Sequence, residues 1–445
     1  MKKMMKKVLL VLTALIFGLS FAFADLTIQI LQGVNKPYPI AVVPFGNDIK
    51  NTWDLPNGIS GVVAADLANS GRFLNLAMSQ MPAQPTNVAT FNWQQWSGAN
   101  TGIEYAVVGN VTVGSKPNTF DVTFSLLSLL NNQPLLGQQF NDVPRSELRF
   151  LAHQISDAIY QNITGNKGYF RTRLAYVEVF SPTSRKGTWE LVVSDYDGFN
   201  PHVLLKQAGV PIASPIWSPD GKQLAYVSYV HNRQTIFTIT LANGQRHVMA
   251  SFPGMNSAPA WSPDQKLMAM ALSGTDITDD TNLFTMNLSN HVLTRYTTYG
   301  TNTSPSFSPD GSTIAFNSDR GGSPQIYLLD LASKTISRLS YTGVNNYDPV
   351  FTPDGKNLVL MTQQTAGGPI DLATLNLATN TINIITSGQL DKSPSVAPNG
   401  DMIVYANYDS PHGILAETSL DGTVQIKLPA TDGTVQSPAW SPFLN

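Results

Sequence analysis

Cysteine is absent from all 445 residues. That excludes disulfides, thiolate metal sites and any lipid anchor on a thiol. Charge is scarce as well, with Asp, Glu, Lys and Arg making up 13% of the chain. So thin a supply argues against a charge-laced helical bundle, and the abundant Ser, Thr, Asn and Gln favour exposed β-structure with many turns. The formal net charge is -3, so neither nucleic acid nor an anionic membrane is an expected partner. Beyond the extreme N-terminus no apolar run approaches the length needed to cross a bilayer.

The N-terminus reads as an export signal. Lys2, Lys3, Lys6 and Lys7 precede an apolar run over residues 8–19, and Ala22-Phe23-Ala24 supplies the small-x-small cleavage pattern. Cleavage is expected between Ala24 and Asp25, releasing a soluble periplasmic chain. Losing the four lysines would take the formal charge to about -7.

Internal repetition carries the fold. Ser-Pro-Ile-Trp-Ser-Pro-Asp-Gly starts at Ser214 and returns in variant form at Ala258, Ser304, Asp348, Ser393 and, incomplete, Ser437. The first prolines (Pro215, Pro259, Pro305, Pro349, Pro394, Pro438) are 44, 46, 44, 45 and 44 residues apart. That period is one four-stranded propeller blade. In each unit Pro presets φ, Asp bonds its own backbone and Gly accepts positive φ, which makes a tight turn between two strands. Arg173-Leu174-Ala175-Tyr176-Val177 matches a second strand without a first, and residues 437–442 match a first strand without a second. Five whole blades and one shared blade predict a closed six-bladed β-propeller over residues 169–445, with no exposed sheet edge left by the array.

Residues 25–168 lack the repeat and read as a mixed α/β domain. Strands are expected over 40–45, 73–77, 105–113 and 120–130. Helices are expected over 59–67 and 144–165, with Ser70-Gly71 and Gly165 as their stops. Residues 26–31 alternate like a strand, and an N-terminal strand is easily exchanged at its partner edge.

Several residues invite sharper readings. Asp220, Asp264, Asp310 and Asp354 recur with the blades and stand as Asn399 in one, which suits a turn better than a ring of catalytic or metal-binding carboxylates. Asp195-Tyr196-Asp197-Gly198 lacks the downstream Glu of a calcium loop and reads as a hairpin turn. His153, His202, His231, His247, His291 and His412 show no ligand spacing, so structural roles are expected. Trp217, Trp261 and Trp440 are expected to face the core. No catalytic residue, metal site or cofactor is predicted.

Taken together, residues 39–45, 61–71, 170–177, 193–200, 241–244 and 428–442 resemble the TolB family of the Tol-Pal envelope system. The resemblance spans nearly the whole mature chain. It implies a propeller that binds the peptidoglycan-associated lipoprotein Pal and an N-terminal segment that engages the C-terminal domain of TolA. It also implies a role in outer-membrane integrity and constriction at cell division. Carried onto this sequence, the TolA-binding segment is residues 25–32, with Asp25, Leu26, Thr27, Ile28, Gln29 and Ile30 at its heart. The Pal-facing rim includes Met255, Asn256, Ala258, Asn302, Thr303, Asn346 and Tyr347. Family motifs carry Arg-His where this chain has Gly254-Met255. A monomer is implied, and other outer-membrane proteins or a bacteriocin are further candidate partners.

An alternative is a propeller hydrolase or lyase acting on envelope polymers. A serine hydrolase of this kind would need a Gly-x-Ser-x-Gly elbow, and none occurs. A pair of carboxylates meeting in space stays open, since sequence does not reveal it. The chain is expected not to be an enzyme.

Overall fold

The computed structural model describes residues 28–30, 36–48, 55, 57–181, 187–274, 280–388, 390–409, 412–429 and 431–444. The export signal, Asp25, Leu26 and Thr27 therefore lie outside the described residues.

The N-terminal region is a five-stranded mixed sheet. Its strands are β2 (Tyr38–Val42), β3 (Phe73–Asn75), β4 (Tyr105–Val113), β5 (Thr119–Ser128) and β6 (Gln133–Pro144), in the order β3-β2-β4-β5-β6. β2 runs parallel to β3 and β4, whereas β4, β5 and β6 form an antiparallel meander. Apolar runs in β2 and β4 follow from burial on both faces. Helices α1 (Gly58–Asn69) and α3 (Leu148–Thr164) cover one face through Ile59, Val63, Leu67, Leu151, Ile155 and Ile159. The other face is covered by residues around α2 (Trp93–Gly98), where Trp96 stacks on Phe91 with centroids 5.3 Å apart. Gly165 ends α3 at φ 78°, the left-handed stop its position predicts. Sequence reading assigned neither α2 nor β6. β6 is a largely exposed edge strand rich in Gln and Asn, so it shows little apolar alternation.

Six antiparallel blade sheets follow, five of four strands and one, blade VI, of five. Blade I combines Arg173–Phe180, Thr188–Asp195 and His202–Ala208 with Thr434–Trp440 from the C-terminus. Trp440 pairs with Leu174 and Ala439 with Ala175, so the ring closes as the split repeat predicts. Blades II to VI have first strands Ala213–Trp217, Asn256–Trp261, Asn302–Phe307, Asn345–Phe351 and Asp391–Val396.

Every first strand carries a bulge beside its proline, where the ladder register shifts. There Ser214, Ala258, Ser304, Asp348, Ser393 and Ser437 take φ between 46° and 53°. The six bulges line a central channel of about 530 Å³. Trp217 and Trp440 are buried as expected, while Trp261 is only half-buried.

One apolar cluster joins the two regions: Ile59, Val63 and Tyr160 share it with Met402, Val404, Leu415 and Trp440. The α/β region thus packs on blades VI and I at their turn end, leaving the opposite loop face of the ring uncovered by it.

Candidate functional site

Three places position side chains or backbone for binding. The first is the loop face, where each blade's fourth strand leads into the next first strand. Met255 is 41% exposed, Tyr299 69% and Tyr341 66%, so large apolar groups stand in solvent on this face. Of the predicted rim residues, Ala258 and Thr303 line the channel mouth and Tyr347 is half-buried. Asn256, Asn302 and Asn346 are fully buried and offer no side chain to a partner. Their amides are turned inward, binding the carbonyls of their own loops. Asn302 Nδ2 donates to Thr281 O at 3.0 Å, Tyr299 O at 3.2 Å and Gly300 O at 2.6 Å. Sequence reasoning missed Tyr299 and Tyr341 because isolated tyrosines in loops carry no repeat signature.

Gly254 has φ 79°, and a Cβ there would lie 2.4 Å from the Ser273 carbonyl oxygen. A side chain at this position would displace backbone, so this path of the loop depends on the glycine.

The second place is the outer edge of blade VI. β1 (Ile28–Ile30) pairs antiparallel with Val424–Lys427, matching Ile28 to Ile426, Gln29 to Gln425 and Ile30 to Val424. The N-terminal segment is thus held as a fifth strand by backbone hydrogen bonds, which read extended shape more than side-chain identity.

The third is a buried polar layer between the two regions. Asp66 on α1 accepts a hydrogen bond from Tyr196 OH at Oδ1 (2.7 Å) and one from Ser156 Oγ at Oδ2 (2.6 Å), and the same Oδ2 lies 2.8 Å from His153 Nδ1. Arg149 pairs with Asp197, and its guanidinium sits 4.1 Å above the Phe199 ring. Tyr160 OH and Arg72 both reach Asp401, at 2.7 and 3.1 Å. The turn expected at residues 195–198 is present, with Gly198 N donating to Asp195 O at 3.0 Å. It does more than turn, because Tyr196 and Asp197 are buried against the α/β region. Burial alone would depress the His153 imidazole, but the Asp66 carboxylate and its hydrogen bond outweigh that and raise it. Burial, then the charge of Asp197, pushes the Glu417 carboxyl well above the usual range.

Asp66, His153 and Asp197 also bring one ligand atom each within 4.8 Å of one another. Their positions 66, 153 and 197 have no ligand spacing in the sequence, which is why it showed nothing. The Arg149 cation already neutralises Asp197, so the cluster is built as an interdomain bond network.

The repeated turn carboxylates behave as turns. Asp220, Asp264, Asp310 and Asp354 each accept from the hydroxyl two residues earlier at 2.6–2.7 Å and from the backbone N–H two residues later. Asn399 does the latter alone, accepting from Asp401 N at 3.1 Å.

A closed six-bladed propeller joined to an α/β region by a buried polar layer, with an added edge strand, defines a two-part class of propeller protein. The family models agree with that class: the TolB amino-terminal domain matches residues 26–135 and the TolB beta propeller domain residues 160–444. The Tol-Pal system protein TolB of Francisella tularensis subsp. tularensis is 36% identical over 450 residues, covering 99% of each chain. Its namesake in Actinobacillus succinogenes is 36% identical over 448 residues, again covering 99% of each. The crystal structure of TolB from Acinetobacter baumannii superposes with a TM-score of 0.83 at 36% identity, covering 94% of this chain and all of that one. This chain belongs to the TolB family.

Proposed function

We propose that this protein is a periplasmic protein-binding scaffold of the Tol-Pal system. It grips the peptidoglycan-associated lipoprotein Pal with the loop face of its propeller and engages the C-terminal domain of TolA through residues 25–32. In that role it maintains the outer membrane and its constriction at division. Residues 1–24 are its removed export signal. Family membership supports the envelope role, and the exposed Met255, Tyr299 and Tyr341 support the loop face as an interface.

The observation that carries the reading is the β1 pairing on blade VI. A three-residue ladder at a sheet edge is weak enough to exchange, so the same segment can lie on its own blade or add to a foreign sheet. A ligand that favours one of those states shifts the affinity of the other ligand reciprocally. Calorimetry on the mature protein lacking residues 25–32 tests this. TolA binding is lost and Pal binding is kept or strengthened; undiminished TolA affinity would sink the reading.

A further inference from the structure

β6 is an outer strand of the α/β sheet, and among the described residues no strand pairs with its free edge. From Gln133 to Asn141 it carries no charged residue. Every other outer edge strand among the described residues is three residues long or carries a cation, as His202–Ala208 does in Lys206 and Arg246–Ala250 in Arg246. Shortness and charge are the usual devices that keep an edge from pairing. β6 has twelve residues and uses neither device along its middle.

Its ends are closed instead. The register against β5 shifts at Leu135 and again at Asn141-Asp142, and Pro134 has no N–H to donate. Asp142 takes φ 53°, and its carboxylate accepts from Ser115 N at 2.7 Å and Lys116 N at 3.1 Å. The regular free stretch is therefore residues 136–140, symmetric about Gln138. Leu136, Gln138 and Phe140 share one face, opposite Leu126, Phe124 and Val122 of β5. Phe140 stacks on Phe124 with centroids 6.5 Å apart, yet Leu136 and Phe140 stay half-buried at this rim of the core. Antiparallel pairing of two such stretches about Gln138 sets Leu136 of one copy opposite Phe140 of the other, twice. Each half-buried side chain gains an apolar cross-strand neighbour. Gly137 falls opposite Gln139 and leaves it room, and no like charges meet across the two-fold.

We propose that β6 docks a second copy of this chain, the two strands pairing antiparallel about Gln138 so that two five-stranded sheets become one. Self-complementarity singles out this occupant: the stretch is limited symmetrically, carries no charge and offers an apolar residue wherever its copy presents one. Five paired residues a side fall far short of a standard interface, so the dimer is weak, with Kd on the order of 10⁻⁴ M, and the dilute chain is a monomer. The dimer carries two loop faces, which gives avidity toward partners clustered on one surface. It uses neither β1 nor the loop face, so it stands or falls separately from the proposed function.

Sedimentation of the full mature chain over a concentration series spanning that Kd tests it. Wild type shifts reversibly from monomer to dimer. Gln138→Lys sets two like charges against each other at the two-fold and weakens the dimer about tenfold or more. Gln138 is exposed, so the melting temperature of the variant is unchanged. Crosslinking locates the contact cleanly, because the chain has no cysteine of its own. With a short bismaleimide, Gln138→Cys gives a covalent dimer, whereas Asn141→Cys, whose two copies stand about 20 Å apart in this pairing, does not. A dimer that Gln138→Lys leaves intact, or equal crosslinking at both positions, overturns the proposal. So does a wild type that stays monomeric throughout, whether its 136–140 amides exchange freely or are protected by another occupant. Should Gln138→Lys fail to fold, the two cysteine variants decide alone.

Discussion

The Tyr196 hydroxyl of blade I donates a 2.7 Å hydrogen bond to Asp66 of α1, joining propeller and α/β region through two buried side chains 130 residues apart. Asp66 is 1% exposed and accepts from Ser156 as well. Asp66→Asn keeps the shape but deprives Ser156, Tyr196 and His153 of their charged partner. It is expected to cost about 3 kcal/mol in urea denaturation, and Tyr196→Phe about 1–2 kcal/mol.

His153 adds a pH dependence. Its folded pKa is raised above the ordinary 6.5, so its stabilising contribution is full below 6.5 and is lost as pH rises through the raised value. The denaturation midpoint of wild type is expected to fall across that window. In His153→Asn this part of the slope disappears, which a series of urea titrations above pH 6.5 measures.

Glu417 shifts stability with pH in the same direction, but here burial, rather than a carboxylate partner, raises the pKa. It is fully buried, one oxygen has no partner, and its folded pKa lies well above 4.5. The folded state binds the proton more tightly, so stability grows as pH falls through the folded value toward 4.5. Glu417→Gln imitates the protonated form and is expected to stabilise the protein by about 1 kcal/mol at pH 7.5. Denaturation at pH 4 checks the sign, because the difference should shrink there.

Gln265 occupies the turn position that is Gly221, Gly311, Gly355 and Gly400 in other blades, and it holds φ 58°. Gln265→Gly relieves a left-handed side-chain residue, and calorimetric melting should show a gain of about 1 kcal/mol.

Trp440 closes the ring. Its Nε1 donates to Thr172 Oγ1 at 2.7 Å, its ring meets Tyr169 edge-on at 5.6 Å, and its backbone pairs with Leu174. Trp440→Ala is expected to cost about 3–5 kcal/mol. Limited proteolysis should then cut first in blade I.

On the loop face, burial separates scaffold from surface. Asn302→Ala should lower stability by about 2 kcal/mol through unpaired loop carbonyls. The double change Tyr299→Ser with Tyr341→Ser should leave the melting curve in place and weaken lipoprotein binding about tenfold or more. Surface plasmon resonance with the two proteins side by side distinguishes these effects.

The amino-acid sequence by itself determined the ring: a period of 44–46 residues, turn chemistry at each Pro-Asp, and a split repeat whose halves, at Leu174 and Trp440, need each other. Those signals are local and repeated, so they survive without knowledge of packing. Helices α1 and α3 were legible for the same reason, with apolar spacing inside and Gly71 or Gly165 at the stop. The tertiary structure alone decided that Asn256, Asn302 and Asn346 face inward, that β1 lies on blade VI, and that Asp66, His153, Tyr196 and Asp197 meet between the two regions. Hydrogen-bond partners far apart in the chain leave no spacing to read. A buried carboxylate such as Asp66 differs from a surface one only in what the fold packs around it.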